Sequence, residues 1–170
     1  TLAGKRLIKM IEEQLISLDS PRDMAEERSD EREIINEMRT LARLVDARLV
    51  TSLTMQERVL VGRCFNELGL DDRSIPHWNA MASEQPDAWV IMQGRAEAFA
   101  LSSEVPDLAE AMRLYMRLGQ DGPGDNVPKE VWWRAQLGQL LMLEKADRST
   151  EKIQPRIERL KLIDPNLGGD

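Results

Sequence analysis

Apolar residues recur at helical spacing along nearly the whole chain, and no stretch alternates convincingly between apolar and polar residues with period two. Ile8, Ile11 and Leu15 follow each other at helical steps, which predicts the apolar face of a first helix. A second helix is predicted from Pro21 onward, and its apolar positions have the same spacing at Ile34, Met38, Leu41, Val45 and Leu49. The pattern therefore predicts an all-helical fold.

Residues that favour helix ends divide the rest of the chain into further helices. Thr54 and Glu57 have capping-box spacing at the start of a third helix, and Gly69 is predicted to end it. Ser74 and Pro76 are predicted to open a fourth helix. The remaining helices are predicted within residues 87–101, 103–119, 128–145 and 150–163, with a Gly- and Pro-rich loop at 120–126. Eight helices joined by short connections predict stacked antiparallel pairs.

One sequence pattern spans the third and fourth predicted helices. Gly62 and Phe65 share one helix, and Ser74, Trp78 and Pro86 follow at fixed intervals. This arrangement resembles the tetratricopeptide repeat (TPR). The first helix of that repeat carries a Gly and an aromatic residue, and the second carries small residues, an aromatic residue and a closing Pro. A small residue lets two helices approach closely, the aromatic ring fills the adjacent gap, and Pro ends the pair.

The same pattern recurs later in the chain. Ala96 lies 34 residues after Gly62, which is the period of the family, and Phe99 again follows on the same helix. Gly138 starts the pattern a third time, whereas Arg95 stands where an apolar residue is expected.

The resemblance covers about residues 54–167 and implies a fold. That fold is all-α, with antiparallel helix pairs stacked as a TPR-like superhelix, or solenoid. Residues 51–170 would then form one continuous repeat domain. Residues 1–50 would form an N-terminal helical pair that is either a cap or a diverged repeat, since end repeats need a polar outer face.

The resemblance also implies a function, because TPR-like proteins bind peptides or protein segments on the concave surface lined by the first helix of each pair. The chain is therefore expected to be a protein-interaction or scaffold module. The alternative is a purely architectural helical domain of a larger protein, with no ligand of its own. An exposed Trp132 or Trp133 would favour the interaction module. When the concave-face positions of the family are aligned with the motifs of this sequence, they give a set of candidate groove-facing residues. These are Gln56, Arg63, Asn66, Gln93, Glu97, Trp132, Gln139 and Met142.

Composition and charge narrow the class of function. Hydrophobic residues make up 42% of the chain and charged residues 31%, which is typical of a globular domain. The net charge of −7 argues against a nucleic-acid partner, because such proteins need an excess of Lys and Arg. A single Cys and a single His exclude a disulfide framework and a multi-histidine metal site. No apolar run approaches the ~20 residues that span a bilayer, so no membrane insertion of this segment is expected.

The ends of the chain bear on its localisation. The sequence begins at Thr1 without a basic and apolar leader, and we interpret it as a fragment or a processed form of a longer protein. A flanking targeting segment would lie outside it. The compartment is therefore left open, and the composition is compatible with the cytoplasm.

The reactive residues form no arrangement typical of catalysis. His77 has no partner in the sequence for general-base chemistry and is predicted at the surface or beside a helix cap. Cys64 lies within the repeat pattern and is predicted to be a packed thiol. The acidic residues in 121–126 and 23–37 are interpreted as a turn with an Asn126 helix cap and as a solvated helix face. No catalytic residue, metal ligand or cofactor is therefore assigned, and the chain is expected not to be an enzyme.

Overall fold

The computed structural model describes residues 2–19, 27–45, 47–146 and 150–168. All regular secondary structure within these ranges is α-helical, which confirms the predicted helical class. In chain order the described helices are α1 (Leu2–Asp19), α2 (Glu27–Leu44), α3 (Ala47–Thr51), α4 (Met55–Glu67), α5 (Asp71–Glu84), α6 (Trp89–Leu101), α7 (Val105–Leu118), α8 (Lys129–Lys145) and α9 (Thr150–Ile163). Consecutive helices pack together, as α1 with α2, α6 with α7, α7 with α8, and α8 with α9.

The predicted capping box at the start of α4 is confirmed. The Thr54 hydroxyl accepts a hydrogen bond from the Glu57 backbone N–H at 3.3 Å, and the Glu57 carboxylate accepts one from the Thr54 backbone N–H at 2.8 Å. Two N–H groups near the helix start are thereby satisfied. Beyond the other end, Gly69 has a φ of +64°, a left-handed conformation that suits Gly, and α4 ends before it as predicted.

The fourth predicted helix begins earlier than expected. α5 starts at Asp71, so Ser74 and Pro76 both lie inside it. The Ser74 hydroxyl donates a hydrogen bond to the Asn66 side chain and does not cap the helix. Asp71 and Asp72 supply the negative charge that favours a helix N-terminus, and this explains the earlier start.

The second predicted helix is divided into α2 and α3, and its predicted beginning at Pro21 lies outside the described residues. At the end of α2, the Arg73 guanidinium of α5 donates to the backbone carbonyl of Ala42 at 2.9 Å and to that of Val45 at 2.6 Å. The same group lies 4.5 Å above the centre of the Phe65 ring. A cation at the carbonyl end of a helix satisfies its free acceptors, so a residue distant in sequence stabilises the end of α2.

The loop between α7 and α8 is a turn, as predicted, but Asn126 is not a helix cap. Its side-chain amide donates to the Asp121 carboxylate, and Pro128 stands at the cap position of α8 without a side-chain bond. The Gly122 backbone N–H donates to the Asp125 carboxylate at 3.0 Å. The acidic groups of this loop are therefore bonded within the loop itself.

The chain divides into two compact units, Thr1–Met81 and Ala82–Asp170. The predicted repeat boundary near residue 50 concerns the sequence pattern and stays a prediction. A hydrophobic core in the first unit is formed by α1, α2 and α4. Buried side chains there confirm the predicted apolar faces of the first two helices at Ile8, Ile11, Leu15, Met38, Leu41 and Val45.

In the second unit, α6 and α7 pack against each other, and the small residues Ala96 and Ala111 of these helices are fully buried. Arg95, which departs from the sequence pattern, is half-buried and pairs with Glu110 of α7 at 3.2 Å. Its guanidinium also lies 5.4 Å above the centre of the Phe99 ring. The charge of Arg95 is thus stabilised by the ion pair with Glu110 and by the cation–π contact with Phe99, one turn further along α6.

Candidate functional site

Gly62 marks a close contact between α4 and α5. A Cβ atom at this position would lie 2.5 Å from a ring carbon of Trp78 and 3.1 Å from the ring of His77. Trp78 is fully buried, so a residue larger than Gly does not fit without displacing the ring. The Gly and Trp that the sequence pattern singles out are therefore in contact.

Asn66, a predicted groove residue, lies inside this contact. Its side-chain carbonyl oxygen accepts hydrogen bonds from the Ser74 hydroxyl and, at 3.2 Å, from the Trp78 indole N–H. Asn66 is only 9% exposed, and its carbonyl oxygen is used to hold α5 against α4. This oxygen is therefore already hydrogen-bonded inside the first unit and does not lie on an open groove. We call Asn66, Ser74 and Trp78 the asparagine cluster.

His77 packs beside the asparagine cluster and is buried, which corrects its predicted surface position. The earlier start of α5 places it in the second turn of the helix. Its Nε2 atom lies 2.7 Å from the Arg58 backbone carbonyl, and its ring meets those of Phe65 and Trp78 edge to face. Burial lowers the pKa of His77, which outweighs the opposing effect of the bond to Arg58. The neutral ring therefore donates its Nε2 proton to a carbonyl and packs among aromatic rings.

Cys64 is a buried free thiol, as predicted. Burial raises its pKa to about 12, although the positive charge of Arg73 opposes the shift. A thiol with such a pKa is protonated at neutral pH and is a poor nucleophile. Cys64 therefore contributes to packing in the first unit and is not activated.

A second close contact of a Gly with an aromatic ring lies in the second unit. A Cβ atom at Gly138 of α8 would lie 2.6 Å from ring carbons of Tyr115 in α7. Tyr115 is buried, and its burial raises the pKa of the phenol. α7 and α8 thus meet through a Gly and a ring, as α4 and α5 do.

A buried polar cluster joins α7, α8 and α9. The Gln139 side-chain amide donates to the Tyr115 backbone carbonyl at 3.1 Å. The Gln136 amide donates to the Gly119 backbone carbonyl at 3.3 Å. The amide oxygens of both glutamines accept hydrogen bonds from the Arg156 guanidinium of α9. We call Gln136, Gln139 and Arg156 the glutamine–arginine cluster.

The two adjacent tryptophans of α8 are both packed against other parts of the second unit. Trp132 is 4% exposed, and its indole N–H donates to the Asp121 backbone carbonyl. Trp133 is half-buried, and a Cβ atom at Gly168 would lie 2.6 Å from its ring. The two rings meet edge to face with centres 4.9 Å apart. Neither ring is the openly exposed aromatic group that would favour an interaction module.

The predicted groove residues fall into two groups. The buried group is Asn66, Trp132, Gln139 and Met142. Their predicted place on an open surface is wrong, because the rest of their own unit covers them. The exposed or half-buried group is Gln56, Arg63, Gln93 and Glu97. Only this second group retains side chains that a partner can reach.

The glutamine–arginine cluster borders a cleft of about 760 Å³ within the second unit. The loop at 119–123 forms one side of the cleft, and α8 and α9 form the others. Arg156 and Arg159 of α9 supply its positive charge. Gln136 and both arginines were not predicted from the sequence. The only local signal is the three-residue spacing of the arginines on one helix face, which is common on solvated helices.

Comparison of the chain with protein families, with curated protein sequences and with solved structures gives no match. Within the described ranges, no group of three or more His, Cys, Asp or Glu side chains is arranged to hold a metal ion. None of the described helices is both long and apolar enough to cross a bilayer. The function has therefore to be inferred from the geometry of the chain itself.

Proposed function

We propose that the chain is a non-catalytic protein-interaction module built from TPR-like antiparallel helix pairs, which binds an extended or helical segment of a partner protein. The observation that supports it is the repeated contact between a Gly on one helix and an aromatic ring on a neighbouring helix. These contacts join Gly62 to Trp78 and Gly138 to Tyr115. Gly62 and Trp78 belong to one predicted helix pair, whereas Tyr115 and Gly138 belong to successive pairs. The two contacts therefore lie within a pair and between pairs, and stacked pairs of this kind create extended binding surfaces.

The reachable candidate residues divide between the two units. Gln93 and Glu97 lie one turn apart on α6, and the Gln93 amide donates to the Glu97 carboxylate at 2.8 Å. In the first unit, Gln56 is exposed and Arg63 is half-buried on α4. The Arg63 guanidinium is of the type that binds carboxylates in two-point geometry. Binding is expected to be modest, because the acidic chain has little positive charge to steer a partner.

The test uses only residues that a partner can reach. Peptides would be selected on the intact chain from a displayed random library, and their Kd measured by fluorescence anisotropy. We expect the double variant Arg63→Glu with Gln93→Glu to raise the Kd about tenfold or more, since it removes one cation and adds two negative charges. Trp132 is left unchanged, because its removal from a packed site would cost roughly 3–5 kcal/mol of stability.

Arg134→Glu is the matched control, since Arg134 is exposed on α8 and outside the candidate surface. It should leave both the Kd and the melting temperature unchanged. An unchanged Kd in the folded double variant would place binding on another surface. Failure to select any peptide would favour the architectural alternative, which the packed tryptophan pair also supports.

A further inference from the structure

The cleft of the second unit holds positive charge that the described residues do not balance. Arg156 donates only from Nη2, to the amide oxygens of Gln136 and Gln139, and both acceptors are neutral. A guanidinium has five N–H groups. The three on Nε and Nη1 of Arg156 therefore donate to no described residue. Arg159 is exposed and forms no ion pair with any residue of the described ranges.

The described acidic side chains of α9 and of the residue that follows it, Glu158 and Asp164, are engaged elsewhere. The Glu158 carboxylate accepts a hydrogen bond from Gln154 at 2.9 Å and lies 3.7 Å from the Lys161 ammonium. The Asp164 carboxylate lies 4.0 Å from the Lys129 ammonium. These carboxylates therefore have partners other than the two arginines of the cleft.

One carboxylate, that of Asp121, belongs to the lining of the cleft. It accepts a hydrogen bond from the Asn126 amide within its own loop. Among the described residues that line the cleft there are therefore two guanidinium groups and one carboxylate, which is already hydrogen-bonded. Burial lowers the pKa of Arg156, and the neighbouring charge of Arg159 adds to this effect. A cation that is partly removed from water is stabilised by an anion, so the cleft favours a negatively charged occupant.

The remaining lining of the cleft is largely apolar. Its volume of about 760 Å³ lies within the range of roughly 300–1,000 Å³ that is usual for small-molecule sites. An ion without an apolar part would leave this surface uncovered. The apolar side chains are Pro123, Leu143, Pro155, Leu160 and Ile163.

We propose that the cleft binds a small organic acid, in which an apolar body carries one carboxylate. Arg156 and Arg159 bind the carboxylate, since the planar guanidinium matches its two oxygens. The apolar side chains of the loop, α8 and α9 cover the body. The site is separate from the partner surface proposed above and does not depend on it.

Four probes distinguish the parts of this proposal. Octanoate carries both the charge and the apolar chain, octanamide carries only the chain, and acetate and inorganic phosphate carry only the charge. Each would be titrated into the intact chain and followed by NMR at the Trp132 indole N–H, because this residue lines the cleft. We expect octanoate to bind at least about tenfold more tightly than the other three.

Three variants locate the binding groups. Arg159→Met should weaken octanoate binding about tenfold without unfolding the chain, because Arg159 is exposed and holds no other described group. Arg156→Met should weaken it at least as much, and its melting curve shows whether the helices remain packed. If Arg156→Met unfolds, Arg159→Met decides the outcome. Arg134→Met is the control and should leave binding unchanged.

Several results would overturn the proposal. Equal binding of octanamide would show an apolar cavity without charge recognition. Equal or tighter binding of acetate or phosphate would show a general anion site. Absence of octanoate binding, or octanoate binding that Arg159→Met does not weaken, would remove the assigned role of the arginines.

Discussion

The two units of the chain each contain a buried polar cluster, and the two clusters differ in charge. In the first unit, the Asn66 amide oxygen accepts bonds from two neutral donors, the Ser74 hydroxyl and the Trp78 indole. In the second unit, the amide oxygens of Gln136 and Gln139 accept bonds from one cation, Arg156. The first cluster is enclosed between two helices, whereas the second borders an open cleft.

This difference separates structural hydrogen bonds from groups that are available for binding. A buried neutral donor needs only one neutral acceptor, so the asparagine cluster is satisfied within the protein. A guanidinium carries charge as well as donors, and the two glutamine oxygens accept only from Nη2 of Arg156 and do not balance its charge. We therefore expect the asparagine cluster to stabilise the fold and the glutamine–arginine cluster to be sensitive to added anions.

The largest effects are expected at the close contact that each unit contains. Gly62→Leu and Gly138→Leu force a side chain into an aromatic ring. Overpacking costs roughly 1–3 kcal/mol, which exceeds the ~1 kcal/mol gained by removing Gly from a helix. Gly62→Leu should cost more, because the Trp78 ring is fully buried and also bonded to Asn66. Urea unfolding of each variant measures the two losses.

Arg134→Leu, on the exposed side of α8, is the control for the added Leu side chain and should shift the unfolding midpoint little. An unchanged or raised midpoint in either Gly variant would contradict the close contact. It would also remove the main support for the TPR-like register.

A second pair of variants, with effects of similar size, separates the two polar clusters directly. Asn66→Ala leaves two buried donors without an acceptor and should cost about 1–3 kcal/mol. Gln139→Ala should cost less, about 1 kcal/mol, because Arg156 keeps Gln136 as an acceptor and faces the cleft. Chemical unfolding of both variants under the same conditions checks the order. If Gln139→Ala is the more destabilising change, the second cluster is the more important structural one.

The smallest effect concerns the pH dependence of the first unit. The pKa of His77 is lowered below its ordinary value of 6.5 by burial, and the charges of Arg58 and Arg73 add to the shift. The unfolded chain therefore takes up a proton at higher pH than the folded chain does. The contribution of neutral His77 to the stability of the fold is therefore fully present above about pH 6.5. It is lost as the pH falls from there through the pKa that His77 has in the folded chain. The NMR titration of the only His in the chain measures this pKa directly.

His77→Gln should abolish the loss of stability in this pH window, because Gln does not titrate. The second unit contains no His and should lack this dependence. A His77 midpoint above 6.5 would show that burial does not control the group.

Several features of the fold follow from short-range interactions and were predictable. The capping box of Thr54 and Glu57 and the end of α4 before Gly69 agree with the sequence patterns. Pro155 was expected to limit how early the last helix starts, but α9 begins at Thr150 and contains Pro155. The start of α5 was predicted wrongly, because Ser74 bonds to Asn66 of another helix and does not cap its own. Where a residue has both a local and a distant partner, the local pattern is an insufficient guide.

The candidate site was less predictable than the helices. α8 carries apolar or uncharged residues on most of its faces, so its periodicity does not show which face is covered. Trp132 and Gln139 were predicted to lie in an open groove, and both are buried. Arg156 had no distinguishing feature in the sequence, because its partners on α8 lie 17 and 20 residues away.

The sequence by itself determined that the chain is helical and where most of the helices begin and end. Those properties depend on side-chain periodicity and on bonds between residues a few positions apart. Only the tertiary structure decided which side chains are covered, and that one guanidinium is held by two glutamines at the edge of a cleft. Burial and charge balance depend on groups that are distant in the chain, so they are settled only when the helices pack.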